Sequence, residues 1–247
     1  VGRIQGLRAT VTVGALGLVL AGCGQRSAPA STAPYEGVQE LPEQLAADGT
    51  TIVVGDPRAR TTVRVYEDPR CPVVEEYERT GAAALTEMTL ARKTKTEYVF
   101  ASFKDGSLGG DGSKRAVNSL RAALEAGKFA EYHAVLFENQ QEAEESGGFT
   151  TAMLLELAGE VKGLRGKAFD SAVTTMKYQP FVTASQAAYQ EVDGPDPAGP
   201  GTPSVMINEK ELPDEMLGVV VEPAVFTRLL IDIHHKRGIW RNGVDVL

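Results

Sequence analysis

Cys71 stands where a β-type run meets a helical pattern, in Tyr66-Glu-Asp-Pro-Arg-Cys-Pro-Val-Val74. Pro72 suits a first helical position, because the N–H it lacks would have no intrahelical partner there. The thiol of Cys71 is therefore expected at a helix N-terminus, where unpaired backbone N–H groups and the helix dipole favour a thiolate. A dithiol redox site needs a second cysteine three positions on, and the chain has Val74 there. Without it no intramolecular disulfide can be stored, so two electrons cannot be donated or accepted by this site alone. A mixed disulfide can still form and be released by a second, external thiol, which suits isomerisation or thiol capture better than net oxidation. The alternative for Cys71 is an inert, buried small hydrophobe.

Other chemistry-bearing residues are read more plainly. Glu67 and Asp68 just before the thiol are expected to be turn residues with solvated carboxylates. His133 lies on an apolar helical stripe and is expected as a satisfied core histidine. His234 and His235 fall near the end of the last helical pattern, where cations complement the dipole. Three scattered histidines without paired thiols give no metal site, and no cofactor is expected. The glycines between Gly106 and Gly112 lack a following Gly-Lys-Ser/Thr, so a turn is expected rather than a phosphate loop.

Composition sets the bounds. The 247 residues are 43% hydrophobic and 23% charged, as in a globular protein with room for a real core. The net charge is -8, and the first 22 residues hold only Arg3 and Arg8, so the remainder is more acidic still. An acidic body without a basic cluster argues against nucleic acid and against an anionic membrane surface as ligands.

Residues 1–22 are expected to be an export signal: Arg3 and Arg8 form a short basic region, and Val11–Ala21 an apolar run too short to span a bilayer. The run ends Leu20-Ala-Gly-Cys23, which resembles the bacterial lipobox. That resemblance implies acylation of Cys23 and attachment to the extracytoplasmic face of a bacterial cell membrane. Residues 23–49, with Ser27-Ala-Pro-Ala-Ser-Thr-Ala-Pro34, are then a flexible tether carrying little beyond a turn of helix near Gln39–Ala47.

The folded body is expected over 50–247. Thr51–Val54 and Thr62–Tyr66 read as strands, Pro72 to about Lys93 as one helix, and Glu97–Phe103 as a strand parallel to the second. Helical stripes follow: Ala116 to Leu124, Phe129 to Phe137, Thr150 to Val161 with Thr150 as cap, and Phe169 to Ala188 interrupted at Pro180. Gln140–Gly148 is expected as an exposed loop. After the breaker run Gly194–Gly201 come a strand at Ser204–Ile207, a turn at Asn208-Glu-Lys210 and a short strand near Glu211. Gly218–Val221 is apolar and of no definite type; Pro223 to about Lys236 is a final helix.

Four stretches together resemble the DsbA-like exported thiol–disulfide oxidoreductases, a thioredoxin-like α/β fold with a helical insertion, here about 112–193. They are Ile52-Val-Val-Gly-Asp-Pro57, Tyr66-Glu-Asp-Pro-Arg-Cys-Pro72, Gly127-Lys-Phe-Ala-Glu-Tyr-His133 and Gly201-Thr-Pro-Ser-Val-Met-Ile-Asn208. The resemblance implies that Cys71 is the attacking thiol, that Pro203 follows a cis peptide bond, and that Pro72, Thr202 and Pro203 border a substrate peptide. It also implies that Val74 replaces the resolving cysteine. Protein thiols, disulfides or exposed peptide segments are the implied partners. Two other readings stand beside single-thiol exchange: a redox-inactive module that holds peptides or proteins, and a dimer linked through Cys71.

Overall fold

The computed structural model divides into two units, 1–32 and 33–247, and describes residues 1–2, 33–192, 199–213 and 216–235. Arg3, Arg8, Val11–Ala21 and Cys23, the expected signal and lipidation site, lie outside the described residues.

The strands are β1 (Glu43–Leu45), β2 (Thr51–Gly55), β3 (Thr61–Glu67), β4 (Thr94–Phe100), β5 (Ser204–Ile207) and β6 (Lys210–Glu211). They form one sheet in the order β1-β2-β4-β3-β5-β6, parallel only between β3 and β4. The helices are α1 (Pro72–Arg79), α2 (Gly81–Leu90), α3 (Lys104–Leu108), α4 (Gly112–Glu125), α5 (Phe129–Glu138), α6 (Gln140–Glu145), α7 (Thr151–Leu157), α8 (Lys167–Thr174), α9 (Gln179–Gln190), α10 (Leu217–Val220) and α11 (Pro223–His235).

β3 shows how the sequence makes this sheet. Its alternation buries Val63 and Val65 against Leu85 and Met88 of α2 and Phe226 and Leu230 of α11. Its neighbours in register, Tyr98 and Phe100, meet Phe129 and His133 of α5 on the same face. The opposite face carries Tyr66 and Val99 against Tyr189 of α9. The stretch 112–190 is thus a helical block inserted between β4 and β5, with α5 against one face of the sheet and α9 against the other.

Several expectations are corrected. The folded body begins before Thr50: β1 pairs with β2, and Tyr35 N–H donates to Leu90 O at 2.9 Å. Residues 33–49 of the expected tether are therefore held against the folded body. The single helix from Pro72 breaks at Thr80, whose backbone (φ -127, ψ -85) is not helical. At the neighbouring Gly81, a Cβ would collide with Val220 O, so α10 packs directly on the backbone there. The third strand ends at Phe100 rather than Phe103, because Ser102 N–H leaves the ladder for Gln186 Oε1 on α9. Gln140–Gly148 is largely α6, with Gln140 and Ala143 buried. The glycine-rich turn narrows to Gly109 and Gly110, both at positive φ, with α3 just before it.

Arg92 anchors the early segment. Its guanidinium stacks 3.6 Å over the Tyr35 ring, donates to Tyr35 OH and Ala33 O, and pairs with Asp56 at 2.8 Å. Arg92→Ala is expected to cost about 1–3 kcal/mol in urea unfolding and to expose residues 33–35 to limited proteolysis. An unchanged midpoint would show that this anchor carries nothing.

Candidate active site

The site assembles where β3 ends and β5 begins. Register pairs Tyr66 with Ser204, so the loop after Glu67 lies beside the residues just before β5. Cys71 caps α1 with extended backbone (φ -83, ψ 119). Its N–H donates to Asp68 O at 2.9 Å, and its carbonyl accepts from Val74 N, Glu75 N and Gln140 Nε2. The thiol donates to Thr202 O at 3.2 Å, and the Thr202–Pro203 peptide bond is cis. Cys71 is 3% exposed, whereas Pro72 is exposed, Val73 is 45% exposed and Thr202 is half-buried with Oγ1 unpartnered. Cys71, Thr202 and Pro203, far apart in the chain, thus meet, with Pro72 on the adjoining surface. Val74 is fully buried among apolar neighbours of the helical block.

A buried polar frame holds the loop. Arg70, 3% exposed, donates to Glu144 at 2.7 Å and 3.0 Å, to Asp105 Oδ1 at 3.1 Å and to Gly109 O at 2.8 Å. Its side chain fits against Gly112 and Gly148, where a Cβ would come within 3.0 Å of Arg70 Cδ and Cζ respectively. Asp105 also accepts from Ser113 N and Lys114 N, capping α4. Asp68 accepts from Arg70 N, Lys104 N and Ser113 Oγ, with burial pushing its carboxyl above the usual range. The expectation of solvated carboxylates at Glu67 and Asp68 is therefore overturned, since both are fully buried.

Glu67 belongs to a second cluster. Its Oε2 lies 2.9 Å from His133 Nε2, and His133 Nδ1 lies 3.6 Å from Glu78 Oε2 on α1. Burial pushes Glu67 up to about 8, raises Glu78, which also feels the charge of Glu67, and lowers His133. His133 is the core histidine expected, but its neighbours are two carboxyl groups. The signals were available: Glu67 continues the alternation of Val63 and Val65, and Glu78 follows Val74 by one helical turn.

A sequence profile of the family described as Thioredoxin matches residues 47–217. No curated protein sequence matches the chain. Among solved structures, a Corynebacterium diphtheriae thiol-disulfide oxidoreductase, MdbA, is similar at TM-score 0.58 and 18% identity, over 76% of this chain and 94% of that one. BdbD from Bacillus subtilis gives TM-score 0.61 and 17% identity, over 82% and 99%. DsbA from Mycobacterium tuberculosis gives 0.54 and 22%, over 77% and 100%.

Proposed function

The chain belongs to the Thioredoxin family matched over residues 47–217, and from that premise we propose that it performs thiol–disulfide exchange through Cys71 alone. The observation that carries the reading is the Cys71 thiol at the start of α1, 3.2 Å from the Thr202 carbonyl beside Pro203. The Cys71 thiolate attacks one sulfur of a substrate disulfide, and the other sulfur leaves as a thiolate. The resulting Cys71–substrate disulfide is then attacked by a second thiol, the substrate's own or a small external one, which releases Cys71. No net electrons are transferred when the second thiol belongs to the substrate, so the reaction is an isomerisation.

Exposed Pro72 and Val73 and the half-buried Thr202 are the surface on which a substrate peptide rests. The likeness to thiol-disulfide oxidoreductases such as MdbA supports the chemistry by analogy. Attachment through lipid on Cys23, outside the described residues, places the site on the extracytoplasmic face of a bacterial membrane. Among the described residues no helix is long and apolar enough to cross a membrane.

A second reading, a redox-inactive peptide-holding module, draws on the 3% exposure of Cys71 and the buried Val74. Thiol labelling separates the two. In the folded protein Cys71 is expected to react with an aromatic disulfide reagent and to be trapped as a mixed disulfide with a cystine peptide. If it resists until denaturant is added, while the peptide still binds and Thr202→Ala weakens that binding, the holding module is the function.

A further inference from the structure

We propose that Glu67, Glu78 and His133 bind a divalent transition-metal ion of the zinc class. Each residue offers one donor atom, and these atoms lie within 4.8 Å of one another. Donors bound at about 2.0–2.2 Å to one tetrahedral ion stand closer than that, so small side-chain rotations close the site.

Two buried atoms point to the missing partner. Glu67 Oε1 and Glu78 Oε1 have no hydrogen-bond partner, although the two side chains are only 0% and 9% exposed. His133 faces both acids, and a side-chain hydrogen bond joins Glu67 to Glu78, so the three groups form one buried cluster with no cation beside it among the described residues. A dication lets both acids ionise as ligands and gives the two Oε1 atoms a partner that the cluster's own hydrogen bonds do not. An imidazole beside two carboxylates selects zinc, cobalt or manganese over calcium or magnesium, which prefer oxygen alone.

The site also has an entrance. A cleft of about 560 Å³ between α1–α2 and α5 is lined by Glu78 and His133, with Tyr98, Thr86, Ala134 and Glu138 around them. Glu67 lies behind, fully buried on β3. An ion here would join β3, the last turn of α1 and α5. It would fix the helix whose first residue follows Cys71, whether or not that thiol exchanges disulfides.

The test titrates Co²⁺, then Zn²⁺ and Ca²⁺, into the full chain carrying Cys23→Ser and Cys71→Ser, so that no thiolate competes. Saturable one-to-one Co²⁺ binding is expected, with visible absorption displaced by Zn²⁺ and not by Ca²⁺, and a higher melting temperature with Zn²⁺. Glu78→Gln and His133→Gln are expected to weaken binding at least tenfold, and Glu138→Gln on the same cleft to leave it unchanged. Since burial perturbs folding in such variants, ring resonances of His133 in the unsubstituted cluster give an independent readout. They are expected to broaden selectively with Co²⁺, ahead of those of His234 and His235. Absence of saturable binding, or binding that leaves the His133 signals untouched, overturns the proposal.

Discussion

Under the proposed single-thiol exchange, Val74→Cys is expected to turn a site that depends on an external thiol into one that resolves its own mixed disulfide. Positions 71 and 74 are the N-cap and third residue of α1, with Val74 N–H donating to Cys71 O at 3.0 Å. Cα atoms three apart across a first helical turn lie about 5 Å from each other, inside the Cα separation of about 4.4–6.8 Å that a disulfide spans. The new thiol attacks the Cys71–substrate bond, forms the 71–74 disulfide and releases the reduced substrate. In reverse, that disulfide oxidises a dithiol peptide.

A neighbouring thiol acts at an effective concentration of about millimolar or above, so against micromolar external thiol resolution accelerates about a thousandfold. The packing cost of losing a methyl group at buried Val74 is about 1 kcal/mol and leaves the fold intact. Stopped-flow resolution kinetics and the mass loss of two hydrogens on oxidation measure the outcome. Cys71→Ser in either background is expected to remove all thiol-dependent activity. If Val74→Cys forms no 71–74 disulfide under oxidant, position 74 is not that of a resolving thiol and the peptide-holding module is favoured.

Arg70→Met carries the second large effect. The methionine keeps much of the volume but leaves Asp105 without its guanidinium and Glu144 without its partner, beside a buried Asp68. Breaking one partner out of a buried ion network costs about 3–5 kcal/mol. For a chain of this size that lowers the melting temperature by roughly 6–20 °C. Glu144→Gln should cost less, because the Glu144 side chain is 29% exposed and water compensates part of the loss. Loosening the Asp68–Cys71 turn is also expected to speed reagent access to Cys71 in the folded state. Urea midpoints and labelling rates on the same samples decide it; a midpoint equal to the unsubstituted protein's would mean the frame does not hold the loop.

The elements around the site were legible because their signals are local. Alternation at Val63 and Val65, a proline after Cys71, and helical stripes such as Ala116–Leu124 depend only on residues a few positions apart. Thr150 works the same way, accepting from Met153 N–H at the start of α7. The early strand β1 was hidden because its three residues gain their shape from pairing with β2, not from their own composition. The break at Thr80 was hidden for a related reason: α10, over 130 residues later, presses on Gly81.

From the sequence alone followed a lone thiol at a helix start, the absence of a second thiol at Val74, and the likeness that paired Cys71 with Thr202 and Pro203. These depend on residue identity and short spacing. The environment of that thiol was decided only by the fold. Glu67 and Asp68, hydrophilic in sequence and expected in water, are buried because β3 continues inward and because Arg70, Lys104 and Ser113 supply donors to Asp68 from three parts of the chain. A carboxylate's hydration is set by what surrounds it, and here those surroundings come from strands and helices tens of residues apart.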